Sequence, residues 1–241
     1  MNEATGTGGR ILLLDNVVRF TGLMEMLTGR DPDLPGFGVF DGPAGFGKTS
    51  ASIYAANVYR AYCVRLESCT TQRGFCLAVG RELGIRSPER TVEGMIHQIA
   101  DHLADHPSRP LILDEADHLA RRGIIELVRD IHDRAAPAGA TIVMIGETAF
   151  YEGLRRWERV QSRVLKRVMA EPISAGDVAQ LAGRICHGIT LAPDLLANVA
   201  EKARGSARRA VGRLYAVRER ALTRGCEAIG LAELGEDGDA A

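Results

Sequence analysis

Short apolar runs alternate with longer amphipathic stretches over the first two thirds of the chain. Segments 37–40 (FGVF), 61–66 (AYCVRL), 111–113 (LIL) and 141–145 (TIVMI) are brief and mostly apolar. Such runs predict strands buried on both faces. Between them, apolar residues recur at helical spacing. Helices are expected within 10–28, ahead of the first strand, and over 50–60, 71–83 (stopped by Gly84), 92–103 (ended at His106-Pro107) and 123–134. The stretch 150–169 is basic and reads as mostly helical. Strand–helix alternation with apolar strands implies a parallel sheet with helices on both sides. From Ile173 onward the pattern becomes helical only, with helices from Ser174–Asp177 to about His187, over 193–204 and over 207–224. The expected fold is therefore α/β, a parallel-sheet core with a small C-terminal helical lid. The divisions are an N-terminal segment (1–34), a core (35–171), a lid (172–225) and an acidic tail (226–241) too polar to fold. No internal repeat is visible.

The turn after the first strand changes this from a fold into a site. Gly42, Pro43, Ala44, Gly45, Phe46, Gly47, Lys48 and Thr49 fit G-x-x-x-x-G-K-[ST], the P-loop. Its glycines let successive backbone N–H groups converge on phosphate oxygens. The helix beginning near Ser50 points its positive end at the anion. Lys48 would reach the outer phosphates of ATP, and the Thr49 hydroxyl would hold Mg²⁺. Only Lys48, Lys166 and Lys202 are lysines among 30 basic residues. One of them stands where a compact ammonium on a flexible stem is required.

The third strand ends Leu113-Asp114-Glu115. Asp114 there would serve the Mg²⁺ shell, and Glu115 would orient and activate the attacking water. Phosphoryl transfer depends on positioning and charge stabilisation, which two adjacent carboxylates opposite a P-loop supply. The adjacent Glu favours hydrolysis over binding alone. The sequence between Lys48 and Asp114 has room for an extra strand and two helices, which separates the two nucleotide-binding strands.

Charge matters through its placement. The formal net charge is −1. Arg155, Arg156, Arg159, Arg163, Lys166 and Arg167 nevertheless face only Glu158, and the stretch 201–224 is as arginine-rich. A basic C-terminal third in a near-neutral chain implies an anionic partner. The five cysteines lack a C-x-x-C pair and read as reduced cytoplasmic thiols. No apolar run is long enough for a membrane span. Residues 1–10 lack a signal-peptide core. His102 and His106 sit at i, i+4, but without a third ligand they read as a helix face, not a zinc site. Asp114-Glu115-Ala116-Asp117 matches the helicase box, yet the other helicase motifs are missing. A small-molecule kinase on the same P-loop is the alternative of another class.

With these motifs in order, the chain resembles the AAA+ ATPases. The resemblance implies further roles. The strand ending Gly146-Glu147-Thr148 occupies the sensor-1 position, open to Glu147 or Thr148. Gln161-Ser162-Arg163-Val164 is similar to the box carrying the arginine finger, with Arg156 and Arg159 as alternatives to Arg163. Gly205-Ser206-Ala207-Arg208 is similar to sensor 2, with Arg208 reaching the γ-phosphate. The segment 16–21 would lie near the adenine. Within the family the chain looks most like the transposition ATPases typified by the B protein of phage Mu. That likeness implies assembly into a ring or helical filament on duplex DNA, without strong sequence preference, and delivery of that DNA to, or activation of, a transposase. The alternatives within the family are a replication initiator or loader and a secretion-linked ATPase. The phage protein carries a helix-turn-helix region ahead of its core. Only residues 1–36 precede the first strand here, so DNA contact is expected from the core, the lid or the assembly.

Overall fold

The computed structural model describes residues 12–234. Five strands form one parallel sheet in the order β2-β3-β4-β1-β5. They are β1 (Phe37–Asp41), β2 (Tyr62–Arg65), β3 (Leu111–Asp114), β4 (Ile142–Gly146) and β5 (Val164–Met169). Every residue of β1, β3 and β4 is buried, because helices cover both faces. Alternation along β1 sends Phe40 toward α1 (Asp15–Thr28) and α2 (Lys48–Val58). Phe37 and Val39 face the opposite way, into a core shared with α3 (Gln72–Glu82), α4 (Val92–Asp105) and α6 (Ile125–Arg134). Between β3 and α6 lies the short α5 (Asp117–Arg121). Thr71 and Thr91 cap α3 and α4 by accepting the N–H groups of Gly74 and Gly94.

Beyond the sheet, α9 (Ala175–Ile185), α10 (Pro193–Ala203) and α11 (Ala207–Arg224) pack into a separate apolar cluster around Val178, Leu195 and Leu214. Ser174 and Asp177 form a reciprocal capping box at the start of α9.

The structure corrects three expectations. The stretch 150–169 is not mostly helical: α7 (Phe150–Leu154) and α8 (Glu158–Gln161) are short, and β5 follows. Lys166 and Arg167 disguised that strand. It can carry them because it is an edge strand, and Arg167 is neutralised by buried Asp41. Next, the strand separating β1 from β3 is β4, not the one between them in sequence; β2 lies at the outer edge. Finally, the C-terminal third is not wholly helical. β6 (Thr190–Leu191) pairs with β7 (Ala228–Ile229), and α12 (Leu231–Leu234) follows. Order thus extends into the segment expected to be a disordered tail, since Ile229 is buried in the lid core. The polar stretch before residue 12 and the acidic residues after 234 lie outside the described residues.

Candidate nucleotide site

The loop after β1 turns back on itself through Gly45 and Gly47, at φ 83° and 87°, a left-handed conformation suited to glycine. A Cβ at Gly45 would lie 2.5 Å from the Ser206 hydroxyl oxygen, so the lid presses directly on the loop. Lys48 begins α2 and curls over the loop, its ammonium donating to the carbonyls of Gly42 (2.7 Å) and Pro43 (2.9 Å). Burial pushes the Lys48 pKa down, while Glu115, Asp114, Glu147 and Asp117 pull it back up.

Across the sheet, the Thr49 hydroxyl donates to Asp114 Oδ2 at 3.1 Å. Asp114 is 4% exposed, and burial raises its pKa, opposed by hydrogen bonds from Thr49 and the Glu115 amide. A hydroxyl and a buried carboxylate are hard oxygen donors. They suit Mg²⁺, which binds through one or two carboxylates, waters and substrate phosphates rather than an all-protein cage. A cation there would also favour the ionised form of Asp114. Glu115 follows at φ 60°, a conformation that side-chain-bearing residues seldom adopt. Its carboxylate lies 3.4 Å from the Arg65 guanidinium.

These groups open onto one cavity of about 1300 Å³, lined by Ala44 to Ser50, Asp114, Glu115 and Glu147. Gly42 and Pro43 do not line it and contribute their carbonyls to Lys48. Of the two sensor-1 alternatives, Glu147 faces the cavity and exposed Thr148 does not line it. The Glu147 amide donates to Asp117 Oδ2 at 2.9 Å, fixing the turn after β4. Arg208 lines the cavity from α11, and its backbone N–H donates to Gly45 O at 3.1 Å. Sequence reasoning missed Arg184. With Asp177 and Leu181 it lines the cavity from one face of α9, at i, i+4 and i+7, a spacing that was readable but carried no motif. Of the segment 16–21, Asn16 and Val17 line the cavity; Thr21 instead donates to Val17 O.

Arg163 stands elsewhere. It precedes β5, and its carbonyl accepts the Phe37 N–H at 2.9 Å, at the sheet end opposite the P-loop. Its guanidinium forks onto Asp133, with N···O distances of 2.5 and 2.6 Å. It lines no part of this cavity. His102 is bonded to the Tyr62 hydroxyl at 2.9 Å and stacked on His106 at 4.6 Å. Among the described residues no cluster of His, Cys, Asp or Glu forms a metal site on its own. No helix of the described residues is long and apolar enough to cross a membrane.

The family model of the AAA domain matches residues 31–154, just over half the chain. Comparison with curated protein sequences gives no match. Solved structures of the same fold include Cdc6p of Pyrobaculum aerophilum, with a TM-score of 0.68 at 18% identity over 94% of this chain and 66% of that one. The ORC1 protein of Aeropyrum pernix, solved in complex with DNA, gives 0.65 at 22% identity over 93% of this chain and 65% of that one. The RuvB Holliday junction branch migration motor of Thermotoga maritima gives 0.59 at 15% identity over 91% and 66%. The chain thus spans about two thirds of the length of these proteins.

Proposed function

The chain belongs to the AAA domain family, and on that premise we propose that it binds Mg²⁺·ATP in the cavity, hydrolyses it, and couples the cycle to binding of duplex DNA. The observation that carries the ATPase reading is the 3.1 Å contact between Thr49 and Asp114, which joins the start of the helix after β1 to the end of β3, a strand not adjacent to β1 in the sheet. The P-loop amides cradle the phosphates. The Lys48 ammonium exchanges the carbonyls of Gly42 and Pro43 for phosphate oxygens, so its donors are never left empty. Mg²⁺, held by Thr49 and Asp114, supplies neutralisation of charge on those oxygens. Water attacks the γ-phosphorus, Glu115 takes its proton, and the bond to the ADP oxygen breaks to release phosphate. Glu147 senses the γ-phosphate from the turn after β4, and Arg208 and Arg184 reach the nucleotide from the lid. Arg163, far from its own cavity, serves a neighbouring subunit as the arginine finger, with Arg156 and Arg159 as the nearest alternatives.

The DNA reading rests on α11. Arg209, Arg213, Arg220 and Arg224 fall within about 60° of one another on a 3.6-residue helix. Among the described residues no carboxylate pairs with any of the four. The other basic stretch is partly neutralised internally, through Arg155–Glu152, Arg163–Asp133 and Arg167–Asp41. Like charges at i, i+4 disfavour a helix, so the stripe on α11 is a cost that a polyanion would offset. Arginines meeting phosphates position a protein without reading bases, which fits duplex DNA of any sequence. Together with the likeness to the transposition ATPases, this supports an ATP-dependent ring or filament on DNA that delivers target DNA to, or activates, a transposase.

Calorimetric titration of Mg²⁺·ATP tests the site. Lys48→Ala is expected to abolish binding, because the outer phosphates lose their ammonium; unchanged affinity would remove the P-loop from the account.

A further inference from the structure

Asn16, in the first turn of α1, is a buried polar side chain, 7% exposed, at the rim of the cavity. Its amide nitrogen donates to Phe46 O at 2.8 Å and to Glu171 O at 2.7 Å. Its carbonyl oxygen accepts the Glu171 N–H at 2.9 Å. Both amide hydrogens and the acceptor are therefore used. Asp at this position has no donor when ionised, and Ala has neither donor nor acceptor. Phe46 lies in the P-loop between Gly45 and Gly47, and Glu171 lies in the connector between β5 and α9. One carboxamide thus joins three segments remote in sequence.

We propose that Asn16 is a positioning residue for the phosphate cradle: it fixes the plane of the Phe46–Gly47 peptide and ties that peptide to the core–lid connector. The peptide is planar and trans, so its C=O and N–H point in opposite directions. Holding Phe46 O from outside the loop sets the direction of the Gly47 N–H, one of the donors a phosphate needs. The preceding peptide is held in the same manner from the lid. Gly45 O accepts the Arg208 N–H at 3.1 Å and the Ser206 hydroxyl at 3.4 Å, which sets the direction of the Phe46 N–H. Two successive cradle amides are oriented by partners outside the loop, one from α11 and one from α1.

The same end of α1 also holds the lid. The Asp15 N–H donates to Asp177 Oδ1 at 3.0 Å, within the capping box of α9. Arg19 pairs with the Glu171 carboxylate. The connector is fixed to the P-loop strand as well, since Ala170 N donates to Asp41 O at 2.8 Å. A change in the plane of the Phe46–Gly47 peptide therefore strains the Glu171 backbone through Asn16. Phosphate entering the cradle and the setting of the lid are linked through this side chain.

The inference rests on the reading of the cavity as the ATP site, and the test separates the two. Mg²⁺·ATP affinity is measured by calorimetry, and amide hydrogen exchange is followed across 42–49, for the wild type, Asn16→Ala and Arg19→Ala. Asn16→Ala is expected to weaken binding by roughly tenfold or more, the scale of one or two buried hydrogen bonds. It should also speed exchange across 42–49 while peptides from β3 and β4 stay protected. Arg19→Ala cuts a partly exposed tie between the same helix and connector, so its affinity should stay within about twofold of wild type. If Asn16→Ala does not fold, Asn16→Asp keeps the shape and the acceptor for the Glu171 N–H and should show the same losses. Wild-type affinity with unchanged P-loop exchange in either Asn16 variant would overturn the positioning role alone. Failure of the wild type to bind ATP would overturn the site reading and this inference with it.

Discussion

Glu115 combines a left-handed backbone at φ 60° with a carboxylate 3.4 Å from Arg65. Its strained backbone is held by a hydrogen bond that its own N–H donates to Asp114 Oδ1 at 3.0 Å. In the proposed cycle Asp114 serves the cation and Glu115, beside Arg65, serves the attacking water. Glu115→Gln should retain Mg²⁺·ATP binding, because the phosphate and cation ligands are untouched. Turnover should fall by about 10²–10⁴-fold, since an amide cannot accept the proton of water. Rapid-quench assays of phosphate release check this, and a normal rate would move the base elsewhere. At this scale the P-loop and the Asp-Glu pair were legible, because a phosphate cradle needs contiguous backbone and fixed residue types. Arg184, the Asn16 hydrogen bonds and the choice between Glu147 and Thr148 were not, because tertiary packing decides them.

Among the elements, β5 shows where pattern reading ends. Its two basic residues mimic a helix face, and the compensation lies 126 positions away in sequence. Arg167 grips fully buried Asp41 through two bonds of 2.8 and 2.6 Å and lies over the Tyr151 ring. Arg167→Ala would leave a buried charge unpaired beside the P-loop, costing about 3–5 kcal/mol of stability. Chemical denaturation measures that loss; a change below about 1 kcal/mol, the scale of an exposed pair, would contradict it. The central strands were legible from their short apolar runs, whereas the order of strands was not, because pairing partners leave no periodic trace. Helix α11 was legible as a helix, but its stripe emerges only from the register. Arg213→Ala with Arg220→Ala should weaken DNA binding and flatten its log–log salt dependence by about 0.9 for each phosphate no longer neutralised. Their ATP affinity should be unchanged. Fluorescence anisotropy with random-sequence duplex reads the DNA effects, and an unaltered slope would remove α11 from the interface.

At the scale of the whole molecule, Glu115 lines the cavity and Arg163 does not, so a finger at Arg163 would have to act on the nucleotide of another copy. Arg163→Ala alone should cut hydrolysis while leaving ATP binding intact. Mixed with Glu115→Gln it should recover part of the activity, because some interfaces then pair an intact finger with an intact base. No recovery in assemblies shown to be mixed would place the finger at Arg159 or Arg156, or within the subunit. The measurement that bears most directly on the central claim is steady-state phosphate release by the wild type and Glu115→Gln, with and without random-sequence duplex DNA. The expected result is release by the wild type that rises when duplex is added, and release at least about 10²-fold slower from Glu115→Gln in either condition. Equal release by the two proteins, or a wild-type rate indifferent to DNA, would contradict an ATPase whose cycle is coupled to DNA.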